Sequence, residues 1–424
     1  MPLRLMLLFV VLTPLAGIIQ VENGAYGANV AVWGYPNGAS YAFAFYGLCA
    51  FAGAWLVTRG AIFAAPRPSV STPTNRMRKA SLRLTHIALV VNGLLCIVTL
   101  FVFGSFAVLT GDVAKGEFRS SLGGLGALAF LTLKWFAPSV FAFACAVYSF
   151  AGRPTSARPS LILLGLVTFV IGLSWGFKTS GLVTILPGLI VLLWAAPMRK
   201  IVYSILLGFG AILLAFTLFD TLEGTTYGGV LEFLLARATV YQGDVSWYIW
   251  DMWVSNTPLP DYGNTLLVVV GDRLFSLFSG ITRADPERWI LAHYGSLLTY
   301  TIGYPIEGIE AGHSVTGTPF SEGVIAAGAI GVPIFGLAAG AVAGFVYRQI
   351  ATALGRRNPV GVALWCNYSV FGLFSWLNGG DIVQLFHVAV IVGAALCWLV
   401  LRTLYSLARA RPVSHRPYIL QAST

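Results

Sequence analysis

Ten long apolar runs, joined by short connectors in which arginine and lysine collect, constrain this chain more than any other feature. They read as Leu5–Gln20, Tyr41–Val57, Ile87–Leu109, Leu122–Phe150, Leu161–Trp175, Leu182–Trp194, Ile201–Phe219, Val324–Tyr347, Val360–Leu377 and Ile382–Leu404. Runs of this kind can cross roughly 30 Å of hydrocarbon as helices. Inside lipid the backbone must satisfy its own hydrogen bonds, so they predict helices and not an open sheet. Only 10% of the residues are charged, against roughly 25% in a soluble domain. The expected fold is an all-α, polytopic integral membrane protein of about ten transmembrane helices.

Threading these runs with the N-terminus inside sorts the charges. Eighteen of the 26 basic residues fall on inner connectors, inner helix ends or the C-terminal tail, among them Arg59, Arg83, Arg158, Lys200, Arg348 and Arg357. That is the positive-inside pattern. All 16 acidic residues, from Glu22 to Asp381, fall on the outer side. A net charge of +10 could suggest a nucleic-acid partner, but this placement assigns the charge to topology. The reading is a bacterial inner-membrane protein with both termini cytoplasmic. Leu5–Gln20 has the length of a signal-peptide core, and the absence of a small-x-small site directly after it favours a first membrane helix.

The chain reads as a single membrane domain, 1–424, with one large periplasmic loop, 220–319, inserted in it. Asn264–Ile281 is largely apolar, but Asp272 and Arg273 sit mid-run and a crossing there would reverse the later charges. It reads as a helix packed in the loop or dipping into the membrane. The loop is rich in tryptophan and tyrosine, which predicts that it folds. Its stretch Tyr248-Ile249-Trp250-Asp251-Met252-Trp253 reads as an interfacial aromatic belt or as a surface for stacking sugars. The five cysteines all lie in apolar runs, as small fillers, with no metal-site or disulfide spacing.

Eight basic residues run against the topological trend, including Arg119, Lys134, Lys178 and Arg237. An intramembrane charge costs at least a few kcal/mol, so it faces a cavity or a partner; Lys134 reads equally as a snorkelling residue. Arg119, Lys178 and Arg237 together suggest a cationic outer pocket, because guanidinium and ammonium groups hold a diphosphate through charge-assisted bonds. Glu322 stands at the outer mouth of a membrane helix in Gly312-His313-Ser314-Val315-Thr316-Gly317-Thr318-Pro319-Phe320-Ser321-Glu322-Gly323. It reads either as a helix-start residue favoured by the dipole or, with His313, as the group that positions or deprotonates an acceptor hydroxyl.

The order of this loop motif, Pro-Phe-Ser-Glu-Gly, Gly-Ala-Ile-Gly-Val-Pro and a glycine-rich helix after a long outer loop resembles the Wzy-type oligosaccharide repeat-unit polymerases. These are relatives of the O-antigen ligases among the GT-C membrane glycosyltransferases. The resemblance covers the topology and about 40 residues, Glu310 to Gln349. It implies transfer of a growing glycan from undecaprenyl diphosphate to an incoming lipid-linked repeat unit at the periplasmic face, without a metal or other cofactor. It also implies a chain-length regulator as partner. His313 and Glu322 would form the acceptor-side pair; Arg119, Lys178 and Arg237 would hold the diphosphate.

Other readings stand beside this one. They are an O-antigen-type ligase, a polyprenyl-phosphate sugar transferase, a lipid-linked oligosaccharide transporter or flippase, and a non-catalytic accessory protein. The transferase would carry a carboxylate pair in the first outer loop, where Val21–Ser40 has only Glu22. A transporter would show inverted repeats and polar mid-membrane residues in both halves.

Overall fold

A computed structural model describes residues 2–61, 75–110, 112–113, 118, 122, 126–175, 180–197, 199–204, 206–210, 235–237, 239–281, 285–310 and 314–409. The chain is an all-α membrane protein. Eight helical segments among the described residues are long and apolar enough to cross a bilayer: Leu5–Glu22, Ala39–Thr58, Lys79–Val102, Thr132–Phe150, Thr155–Leu173, Pro319–Gly355, Pro359–Gly379 and Val383–Ser406. They correspond to eight of the ten apolar runs. The sixth run gives a shorter apolar helix, Ser180–Leu193, and the seventh lies largely outside the described residues.

The elements, in chain order, are α1 (Pro2–Glu22), a two-stranded hairpin of β1 (Tyr26–Gly27) and β2 (Val32–Trp33), α2 (Ala39–Thr58) and α3 (Asn75–Ile97). Next come α4 (Ala137–Phe150), α5 (Arg158–Leu173) and α6 (Ser180–Leu193). The loop contributes α7 (Val240–Val254), α8 (Gly263–Leu267), α9 (Asp272–Ser279), α10 (Pro286–Leu291), α11 (Tyr294–Thr301) and α12 (Ile306–Glu310). The chain ends with α13 (Pro319–Gly355), α14 (Pro359–Tyr368), α15 (Val383–Phe386) and α16 (Val388–Arg409).

In lipid, helices associate through close packing of small residues and through polar contacts, not through the hydrophobic effect. Both devices are present. Every residue from Ala137 to Tyr148 is buried, which makes α4 the central pillar, packed by α3, α5, α6 and α14. Asn92 of α3 donates to the Ala137 carbonyl at 3.0 Å and to Thr168 Oγ1 of α5 at 2.8 Å. The largest helix pair is α2 with α13. Its backbones approach so closely at Gly53 and Gly340 that a Cβ at either would overlap a carbonyl of the other helix.

Three membrane segments carry π-helical turns: Val98–Val102 ending α3, Thr132–Phe136 leading into α4, and Ser369–Phe374 extending α14 towards Ser375–Gly379. Such turns free backbone groups from the regular ladder. Asn367 Nδ2 donates to the Lys134 carbonyl at 2.8 Å and so ties the second irregular segment to the helix that carries the third.

Asn264–Ile281 is not one helix. It breaks into α8, a 3₁₀ turn at Val268–Val270 and α9, with Gly271 at φ 85° between the last two. Val268, Phe275, Ile281 and Ala292, with Trp289 against them, form a small core of the loop's own.

The aromatic stretch also takes a role that local sequence does not suggest. Trp247 is buried, and its Nε1 donates to the Tyr35 carbonyl at 3.2 Å. Trp250 Nε1 donates to the Asn37 carbonyl at 3.2 Å. Asp244 accepts from the backbone and side-chain amides of Asn29 at 2.8 and 2.9 Å, and Asp251 accepts from Tyr35 Oη at 2.6 Å. These residues fasten the 21–40 segment onto α7. Of Trp247, Trp250 and Trp253, the first is buried, the second half-buried and the third exposed, so the first two serve in part to hold the 21–40 segment.

Candidate functional site

The start of α13 is built by residues other than Glu322. Thr318 is the N-cap: its hydroxyl accepts from Ser321 N–H, while Ser321 Oγ accepts from Thr318 N–H at 2.9 Å, a reciprocal capping box. Pro319 fits the first helical position, where no N–H partner is needed. Ser246 Oγ of α7 lies 2.9 Å from the Thr318 hydroxyl, and Tyr294 Oη of α11 lies 3.3 Å from Ser321 Oγ. The loop helices are thus docked onto the helix start.

Glu322 sits one turn further in and is fully buried. One carboxylate oxygen accepts from Tyr262 Oη and from the Ile382 backbone N–H at 2.7 Å; the other accepts from Trp376 Nε1 at 2.8 Å. The capping and dipole duties of a helix start do not require these partners. The carboxylate instead joins four separated segments: the start of α13, the residue before α8, the tail of α14 and the residue before α15.

The helix carrying Glu322 is broken. Ala327 (φ −153°, ψ 21°) and Gly328 (φ 59°, ψ −143°) leave the helical region. Eight residues of continuous helix span about 12 Å, yet Gly323 and Gly331 touch, so closely that a Cβ on Gly331 would overlap the Gly323 carbonyl. Residues 319–326 therefore form a short helix that turns back on residues 329–355. All of Pro319 to Ile325 is buried. Irregular backbone at membrane depth is tolerated where protein encloses it, and this approach requires glycine at both 323 and 331.

Beside Glu322 lies the turn Gly379-Gly380-Asp381. Gly380 and Asp381 both have positive φ, 70° and 68°, which is uncommon for a residue with a side chain and marks local strain. The Gly317 N–H donates to the Gly379 carbonyl at 3.2 Å, and Gly380 is pressed against the Tyr294 ring. Asp381 is half-buried. Burial pushes its carboxyl up to about 6, against the downward pull of Gln384, the Val383 N–H and His293. Tyr262 and Tyr294 meet edge-to-face at 6.2 Å and wall the same region. Burial, with Glu322 nearby, pushes both phenols up, so they act as donors. The arrangement offers one sequestered carboxylate that joins the walls and, beside it, a second carboxylate that is less deeply buried.

Of the residues that the sequence points to, Glu322 and Arg237 fall within the described residues, while Arg119, Lys178 and His313 lie outside them. Arg237 is exposed, with its guanidinium over the Tyr241 ring at 5.8 Å from the centroid. It precedes the first turn of α7, whereas Ser246, in the second, meets Thr318. Asp381, Tyr262, Tyr294, His293 and Trp376 are members of this region that sequence reasoning misses. Gly-Gly-Asp between two apolar runs is a turn signal, and it is the one local cue to Asp381. Among the described residues, no group of three or more histidine, cysteine or acidic side chains is placed to hold a metal ion. No family model, curated protein or solved structure matches the chain.

Proposed function

We propose that this protein is a membrane glycosyltransferase that polymerises undecaprenyl-diphosphate-linked oligosaccharide units at the periplasmic face of the bacterial inner membrane. The observation that carries the reading is the acidic centre at the start of α13. A fully buried Glu322 is held by three neutral donors beside a half-buried Asp381. Burying a carboxylate costs several kcal/mol before its bonds are counted. Buried acidic groups with perturbed titration cluster at functional sites, which supports the reading.

In the proposed reaction the acceptor sugar's hydroxyl oxygen bonds to the anomeric carbon of the donor glycan. The bond from that carbon to the diphosphate oxygen breaks, and the diphosphate leaves with the bonding electron pair. Asp381, the less deeply buried of the two carboxylates, takes the hydroxyl proton. Glu322 positions the wall around it, and His313 is kept on the acceptor side by its place in the motif. Arg119, Lys178 and Arg237 neutralise the charge that grows on the leaving diphosphate, which is where such a reaction gains most. A chain-length regulator is the expected protein partner.

A second reading, transport of the lipid-linked oligosaccharide, is favoured by one feature. A membrane helix interrupted beside a buried polar group is a device of secondary transporters, and α13 has that form. The two readings separate in detergent, where no second compartment exists. Purified protein given lipid-linked repeat units should produce longer lipid-linked glycans there. No extension in detergent, with translocation in sealed vesicles, would replace the transferase reading by transport.

A further inference from the structure

A cavity of about 550 Å³ opens in the loop, apart from the acidic centre but built from the same segments. One wall is the extended stretch around Pro258 and Pro260, the other the end of α11 with Tyr300, Thr301 and Tyr304; Met252 of α7 closes the side. Two residues beyond Pro260, Tyr262 donates to Glu322, and six residues before Tyr300, Tyr294 reaches Ser321. Both walls thus run directly into the acidic centre.

The lining selects a ligand class. None of its residues carries a charge, so it offers nothing to a phosphate or diphosphate. Prolines, tyrosines, a leucine and a methionine make the lining largely apolar, and the tyrosine hydroxyls, with a Thr301 hydroxyl that already donates to the Leu297 carbonyl, are its side-chain polar groups. Tyr300, one of the lining residues, is 43% exposed. Apolar walls with a few hydroxyls suit a neutral pyranose, which has one apolar face and a rim of hydroxyls. The volume is within the range of pockets that enclose small ligands. A lipid chain would be poorly served by the polar rim.

We infer that this cavity binds neutral sugar rings of the acceptor glycan and thereby delivers the terminal hydroxyl to the Asp381 side of the site. The inference rests on the transferase reading and separates two jobs within it. The cations hold the lipid diphosphate, and the tyrosine–proline cavity holds the saccharide. Binding energy from sugar rings remote from the reacting bond is the usual means of orienting that bond.

The probe is the oligosaccharide released by mild acid from the lipid-linked fraction of the producing cells, free of both lipid and diphosphate. Binding to the full-length protein in nanodiscs is measured by calorimetry. Saturable binding is expected, weakened about tenfold or more in Tyr300→Ala (about 1.4 kcal/mol per tenfold). Tyr300→Phe, which keeps the ring, should stay within about threefold and controls for folding. In chain extension, Tyr300→Ala should raise KM for the acceptor unit with kcat little changed. No saturable binding of the released glycan, or equal binding by wild type and both Tyr300→Ala and Tyr304→Ala, would overturn the inference. Sugar binding that survives in a protein incapable of extension would instead remove the transferase reading and leave the cavity standing.

Discussion

Replacing Glu322 by glutamine should destabilise the fold by about 2–4 kcal/mol, far more than a helix-start role would predict. The wild-type carboxylate accepts three hydrogen bonds and donates none. Glutamine keeps one acceptor oxygen, able to serve Tyr262 and Ile382, and turns an amide NH₂ towards the Trp376 indole N–H. Trp376 is fully buried, and a buried donor left without an acceptor costs about 1–3 kcal/mol. The remaining two bonds lose charge assistance, about 1 kcal/mol each. Relief of charge burial offsets part of this sum. A carboxylate acting only through the helix dipole would contribute about 0.3–1 kcal/mol. The measurement is a denaturant titration of purified protein in detergent, with Trp376→Phe added to the glutamine variant. Trp376→Phe leaves a cavity in either background, so the orphaned donor is read as coupling: the substitution should cost about 1–2 kcal/mol less in the glutamine variant than in wild type. A glutamine variant within about 0.5 kcal/mol of wild type, or an equal cost of Trp376→Phe in both backgrounds, would refute the donor-cage account.

Asp381→Asn should lower chain extension about 100-fold or more at neutral pH. In wild type, extension should rise as pH increases through about 6, where the carboxyl gives up its proton, and the asparagine variant should lose that rise. The sign for stability is opposite: a carboxyl raised above its unfolded value favours the protonated fold, so its contribution fades as pH rises from about 4 through 6. Asp381→Asn should therefore be no less stable than wild type at pH 7, and a marked loss there would make Asp381 a structural residue. Gly331→Ala should abolish stable insertion or lower the unfolding midpoint sharply, because the added methyl meets the Gly323 carbonyl. Wild-type stability in that variant would contradict the fold-back of residues 319–326.

Much of the membrane part is legible in the sequence because helix length and apolarity are local properties. The runs that start at Tyr41, Leu161 and Val360 each emerge as helices near the expected bounds. The break at Ala327–Gly328 is not legible, since Val324–Gly344 is apolar on every face and periodicity carries no sign of a fold-back. Glu322 can be found because a carboxylate at the mouth of a membrane helix is out of place. Its partners cannot: Tyr262 and Trp376 are 60 and 54 residues away in sequence. Asp381 reads in sequence only as a marker of the outer side, and its role depends on the turn that sets it beside Glu322. Local composition puts Trp247 and Trp250 at an interface, but their indole N–H groups find the carbonyls of Tyr35 and Asn37. That pairing exists only once the 21–40 segment lies on α7.

Transfer of a glycan from a lipid diphosphate to a sugar hydroxyl leaves two products that can be counted together. The most direct measurement follows both in one reaction of purified protein with doubly labelled lipid-linked repeat units. One undecaprenyl diphosphate should be released for each new glycosidic linkage, with both products lost together in Asp381→Asn. Lipid diphosphate released without linkage, or linkages formed equally well by Asp381→Asn, would contradict this assignment.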